Sequence, residues 1–200
     1  MIVGVTGCPG AGKSRFANVM AEHGWRLIDA DGLGREVVET SEELLARLAD
    51  AFGHDILLTD GTLDRRLLGT RAFAGREETR RLNEIVHPAL IETIESRIGE
   101  CVGECIDAVV DCALIFEWNI ARLFNIIICI TATRENRAGR LMDRDGRSAE
   151  DVARMNAAQR TQHEKVRASD IVIANDASVA RLDMLARVFS EVTMWERSDI

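Results

Sequence analysis

The segment Gly7-Cys8-Pro9-Gly10-Ala11-Gly12-Lys13-Ser14 constrains this chain more than any other. It meets the pattern G-x-x-x-x-G-K-[ST] in full. The apolar run Ile2–Thr6 precedes it, and a stretch follows, Ser14–Gly24, in which Phe16, Val19 and Met20 recur at helical spacing. Strand, glycine-rich turn and helix in that order curl successive backbone N–H groups inward and aim the positive end of a helix at the same point. That is an anion site suited to phosphates. In such a loop Lys13 reaches the β- and γ-phosphates of a nucleotide and the Ser14 hydroxyl ligates Mg²⁺, with Gly10, Ala11, Gly12 and Arg15 completing the cradle. The alternative is a chance glycine-rich turn, and the strand and helix on either side argue against it. The loop alone does not separate a kinase from a GTPase or a motor.

The rest of the chain supplies the frame. A second strand, Trp25–Ile28, ends in Asp29-Ala30-Asp31. From Gly32 to about Gly99 the pattern is helical, over Arg35–Glu39, Glu42–Phe52, Arg65–Ala72, Glu77–Val86 and Pro88–Ile98, with turns at Gly53-His54 and Asp60-Gly61. Apolar runs return at Ala108–Val110, Ile126–Ile130 and Ile171–Ile173, each the continuous type expected of a parallel strand covered on both faces. A charged, Arg-rich helical stretch, Arg134–Arg167, separates the last two, and a helix over Val179–Val192 closes the chain. This order predicts an α/β fold: a P-loop NTPase-type parallel sheet flanked by helices. The expectation is one domain over residues 1–200. Its core would be 1–31 and 100–200, with a helical substrate-side insertion at about 32–99 and a helical lid at about 134–167.

Composition narrows the partners. Acids outnumber bases 33 to 25, a net charge of −8, which argues against a general nucleic-acid or membrane-surface binder because both are polyanionic. No apolar run reaches the length of a membrane span, and a strand begins at once where a secretory signal would lie. Five cysteines form no disulfide framework. Cys112 and Cys129 fall in apolar runs. Cys101 and Cys105, four apart, could share a helix face, with no His or further Cys nearby to complete a zinc site. A reducing cytoplasm is the expected setting. The pattern specifies no oligomeric state.

Three groups of residues carry possible chemistry. Asp29 and Asp31 follow the second strand, at the sheet edge where ligands of open α/β folds bind. Two apart on an extended segment, they would point the same way and share the work of a base and of organising Mg²⁺; a turn or a helix cap is the plainer reading. A GTPase would want Asp-x-x-Gly after a strand, whereas Asp111 is followed by Cys112-Ala113-Leu114. Arg134, Arg137, Arg140, Arg144 and Arg147 form a basic cluster, the last four at helical spacing on one side. They read either as a lid that neutralises transferring phosphate and excludes water, or as a solvated face paired with Glu135, Asp143, Asp145 and Glu150. His87 before Pro88 is either a ligand or a packed residue, and Asn175-Asp176 either a site segment or a turn.

Taken in order, these residues resemble the dephospho-coenzyme A kinase family. The resemblance runs from the loop through Ile28-Asp29-Ala30-Asp31, Arg35-Glu36-Val37-Val38, Phe52-Gly53 and Asp60–Leu67. It continues over His87-Pro88, Leu114-Ile115-Phe116-Glu117, Arg140-Leu141-Met142, Arg144-Asp145, Ala158-Gln159 and Asp170–Asp176. It implies transfer of phosphate from ATP, with Mg²⁺, to the ribose 3′-hydroxyl of dephospho-CoA, the last step of coenzyme A synthesis. By position, it implies that Asp31 is the base, that Asp29, Arg35, His87 and Glu117 lie on the acceptor side, and that Arg140 is a lid arginine closing on the transferring phosphate. Asn175 would border the adenine. Another small P-loop kinase, acting on a nucleotide, shikimate or gluconate, is the nearest rival, and a nucleotide-dependent switch the rival from another class. Pro9, Arg15 and Ala113 depart from the family pattern: Pro9 has no N–H to offer a phosphate, and Ala113 stands where the family has Pro.

Overall fold

The computed structural model describes residues 1–198. The chain divides into two compact units: Met1–Asp29 with the chain from Arg97 onward, and Ala30–Ser96. The strands are β1 (Ile2–Thr6), β2 (Arg26–Asp29), β3 (Ala108–Asp111), β4 (Ile126–Thr131) and β5 (Ile171–Ala174). The helices are α1 (Lys13–Glu22), α2 (Ala30–Thr40), α3 (Glu42–Phe52), α4 (Arg65–Ala72), α5 (Arg76–Gly103), α6 (Arg134–Asp145), α7 (Ala149–Ala157), α8 (Gln162–Ala168) and α9 (Val179–Ser198).

In the first unit all five strands are parallel, in the order β2-β3-β1-β4-β5. Register pairs Val3 with Val109 and Val5 with Ile128. Alternation then sends Val3, Val5, Val109, Ile128 and Ile130 to one face, against Phe16, Val19 and Met20 of α1 and Leu182 and Ala186 of α9. Full burial of a side chain such as Phe16 contributes about 1.5–3 kcal/mol. Gly4 faces the other way, where an added Cβ would lie 2.8 Å from Ile115 Cδ1. β1 and β4 are buried nearly end to end, as central parallel strands should be. β5 differs from the expectation of a strand covered on both faces. It is an edge strand that alternates half-buried and exposed residues, and Val172 is 46% exposed.

The second unit has its own core, built from Val37 and Val38 of α2, Leu44, Leu48 and Phe52 of α3, Leu68 of α4 and Ile85 of α5, with Ile56 between. Its helices are well punctuated. Ser41 caps α3 by accepting from Leu44 N–H at 3.2 Å, and Asp64 caps α4 by accepting from Leu67 N–H at 2.9 Å.

Several local expectations are corrected. Asp29 ends β2, but Ala30 and Asp31 already belong to α2, so the two carboxylates do not share an extended segment. Pro88 does not separate two helices; α5 runs through it from Arg76 to Gly103. The stretch 134–167 is three helices, and α6 stops at Gly146, which takes φ 62 as a left-handed cap. Arg147 therefore lies beyond α6 and does not continue the side bearing Arg137, Arg140 and Arg144. Cys105 falls past the end of α5 at φ 56, so it shares no helix face with Cys101.

Candidate active site

Within the first unit, β1 hands directly to the glycine loop. Gly10 and Gly12 take φ 77 and 107, a region side chains rarely adopt. Neither has room for a Cβ: at Gly10 it would stand 2.5 Å from the carbonyl oxygen of Arg137, and at Gly12 2.4 Å from Nδ2 of Asn175. The first bond of α1 is Phe16 N–H to Gly12 O at 3.1 Å, so the N–H groups of Lys13, Ser14 and Arg15 precede the intrahelical ladder. The first turn of α1 holds no acidic residue to neutralise the helix end. Backbone donors and a positive helix end thus meet where Lys13 opens α1, an arrangement suited to a chain of phosphates.

Segments remote in sequence hold the loop. Asn175, at the end of β5 and buried, donates from Nδ2 to Ala11 O at 2.7 Å. Arg140 of α6 donates to Gly10 O at 3.3 Å and to Asn175 O at 2.7 Å. Arg137, one turn earlier, donates to Pro9 O at 3.4 Å and to Asn156 Oδ1 at 2.7 Å. Asp176 accepts from Thr133 N–H and Asn136 Nδ2, which hold its carboxyl below the usual carboxylate range and fix the start of α6. Arg15 directs its side chain away from this set, to a two-point pair with Asp183 of α9 at 2.7 and 2.8 Å. Its backbone N–H is what the loop retains.

A second constellation lies beyond β3. Glu117 Oε1 accepts from Lys165 Nζ at 2.8 Å and from the Arg160 N–H at 2.7 Å, while Glu117 Oε2 is buried without a partner. Lys165 is fully buried and also donates to Ala113 O, which takes a further bond from the Thr6 hydroxyl at 3.2 Å. This joins the last residue of β1, the segment after β3 and α8. Cys129 lies beneath the loop. Burial first, and then the neighbouring Cys8, push its thiol up to about 11 against the lowering influence of Lys165 and Lys13. Asp111, set aside in the sequence, pairs in register with Asp29, so carboxylates end two adjacent strands at the carboxyl edge. Its place at the end of the Ala108–Val110 run was the signal. Lys165 gave none, because a lysine in a charged helix looks solvated until the tertiary contacts are known.

The remaining candidates belong to the second unit. Asp31 lies in the first turn of α2, where the helix dipole favours an anion, and Arg35 one turn on donates to Asp31 O at 3.3 Å. His87 lies on α5, half-buried, and burial pushes its imidazole below the ordinary value. α2 and α5 touch where Gly34 faces Leu90, three residues past Asp31 and His87 respectively. For Mg²⁺ the donor set suits a hard cation: the Ser14 hydroxyl plus phosphate oxygens, with water filling the rest.

Comparison with known proteins places the chain in a family. The family model described as dephospho-CoA kinase matches residues 1–181. A dephospho-CoA kinase of Corynebacterium glutamicum is 35% identical over 196 residues, covering 95% of this chain and 98% of that protein. One of Streptomyces avermitilis is 39% identical over 181 residues, covering 90% and 88%. Among solved structures, TT1252 from Thermus thermophilus superposes with a TM-score of 0.77 at 29% identity, over 96% of this chain and 97% of that one.

Proposed function

The chain belongs to the dephospho-CoA kinase family and carries out ATP-dependent phosphorylation of dephospho-CoA in coenzyme A biosynthesis, and from that premise we propose which of its residues do the work. The ATP phosphates lie on the backbone of Gly10 to Arg15, with Lys13 on the β- and γ-phosphates. The observation that supports this is the set of N–H donors at the head of α1 that precede its hydrogen-bond ladder, beside glycines that admit no side chain. Ser14 would hold Mg²⁺, which when bound would supply positive charge to offset the charge developing on the phosphates.

The acceptor is the ribose 3′-hydroxyl of dephospho-CoA, and the unit Ala30–Ser96 is the substrate-side insertion that binds it, with α6 to α8 as the lid. Asp31 takes the hydroxyl proton as the oxygen attacks the γ-phosphorus. Asp29, Arg35, His87 and Glu117 line the acceptor side. Arg140, already on the loop carbonyls, turns its guanidinium to the transferring phosphoryl; positioning and charge are most of what such a transfer needs. Asn175 fixes the loop and borders the adenine. A reducing interior suits five free cysteines, and we place the reaction in the cytoplasm.

The test is ADP release measured with dephospho-CoA, shikimate, gluconate and nucleoside monophosphates as acceptors. Rapid release with dephospho-CoA alone is expected; equal rates with and without it would sink the proposal. In the same assay Asp31→Asn should lower kcat by about 10²–10⁴-fold, the range of a lost general base, with ATP affinity nearly intact. Unchanged turnover removes Asp31 from the chemistry.

A further inference from the structure

We infer that Arg137 is a built-in counter-charge for the nucleotide phosphates, an anion-binding residue that the roles above leave out. The inference rests on the reading of Gly7–Ser14 as the seat of the triphosphate. Surface arginines in this molecule sit on carboxylates: Arg15 on Asp183, Arg71 on Asp55, Arg144 on Asp145, Arg154 on Asp151. Pairing there contributes least, because water screens it. Arg137 reverses the pattern. It is the one buried arginine among the described residues, 8% exposed. Its partners are all neutral: Ala132 O at 3.3 Å, Pro9 O at 3.4 Å and Asn156 Oδ1 at 2.7 Å.

Those bonds use Nε and Nη1. Nη2 keeps two N–H groups without a partner among the described residues. A guanidinium cannot shed its proton to escape burial, and a buried charge is costly unless an anion compensates it. In a chain with 33 acids to 25 bases a carboxylate partner is the obvious remedy, yet the described residues provide none. What lies beside Arg137 is the loop. Its side chain is bonded to Pro9 O, and its own carbonyl oxygen occupies the space a Cβ on Gly10 would need. The anion that completes the site is the polyphosphate. The loop has lost one N–H donor at Pro9 and has a guanidinium bonded to that same residue, so charge from α6 replaces a missing backbone dipole.

This predicts a trade-off that a structural arginine would not show. Binding of a non-hydrolysable ATP analogue with Mg²⁺ is measured by calorimetry, and thermal midpoints are taken with and without it. Arg137→Gln, which removes the charge but places an amide nitrogen where Nε bonds Ala132 O, should bind the analogue at least tenfold more weakly while its ligand-free midpoint stays level or rises. Arg137→Lys, which keeps the charge, should recover most of the affinity and keeps the test open should the Gln variant not fold. A Kd for Arg137→Gln within twofold of the parent, an Arg137→Lys variant that binds no better than Arg137→Gln, or a loss matched by a fall in the ligand-free midpoint, overturns the inference. Lys13→Ala separates the premise from the inference. If Lys13→Ala leaves the analogue's Kd unchanged, the reading of the loop fails; if it weakens binding and Arg137→Gln does not, only the role of Arg137 fails.

Discussion

At the scale of single residues, the site is held by polar groups whose partners are far away in the chain. Lys165 is the clearest case: fully buried, and bonded to Glu117 and to Ala113 O. Removing one member of a buried ion pair strands the other, so Lys165→Met should cost about 3–5 kcal/mol in chemical denaturation. Lys165→Met with Glu117→Gln should recover a large part of that loss. A double variant no more stable than the single one would show that the pair is not the reason for the effect. These contacts mark the limit of what the chain discloses by inspection. The loop was legible because its function resides in eight consecutive positions. Arg137, Arg140 and Asn175 could be placed in a basic cluster or a turn, but their bonds to Pro9, Gly10 and Ala11 arise only when β1, β4 and β5 lie side by side.

At the scale of elements, local chemistry was read well where it is local. The limits of α3 and α4 follow from Ser41, Gly53 and Asp64, whose capping is a matter of a few bonds in sequence. The start of α2 is hidden in the chain because it opens immediately on the last residue of β2, without a spacer. Pro88 reads as a stop, yet α5 runs through it. Pro88 is exposed, so the carbonyl it leaves unbonded can turn to water, and one lost bond costs less than ending and restarting a helix whose Ile85, Leu90 and Ile94 are buried. The cost should still be measurable. Pro88→Ala is expected to raise stability by about 1–3 kcal/mol, tempered by the freer unfolded chain; a lower thermal midpoint would mean that Pro88 shapes the helix in a way its neighbours require.

For the whole molecule, the order of strands and helices was recoverable because buried parallel strands are written as continuous apolar runs. The edge strand β5 looked like the others, since an edge is a property of the sheet and not of the segment. The same burial pattern governs the cysteines. Cys8, Cys101, Cys112 and Cys129 are buried and Cys105 is exposed; burial also raises the Cys101 and Cys129 thiols, so little thiolate forms there near neutrality. Titration of the native protein with a thiol reagent at pH 7.5 (about a unit below an ordinary thiol) should modify Cys105 rapidly and the others only after denaturation. Rapid modification of Cys8 as well would mean that the loop opens far more readily than its packing implies.

The contact between Gly12 and Asn175 has one more consequence, for inheritance. The amide of Asn175 occupies the space of a side chain that residue 12 does not have, and Arg140 rests on the carbonyl of the same asparagine. A larger residue at 12 would evict the amide and break its bond to Ala11 O, whereas the bond from Arg140 goes to the backbone oxygen of residue 175 and needs no asparagine there. Positions 12 and 175 should therefore drift only together, and a lineage that altered one should carry the signature of its compensation in the other.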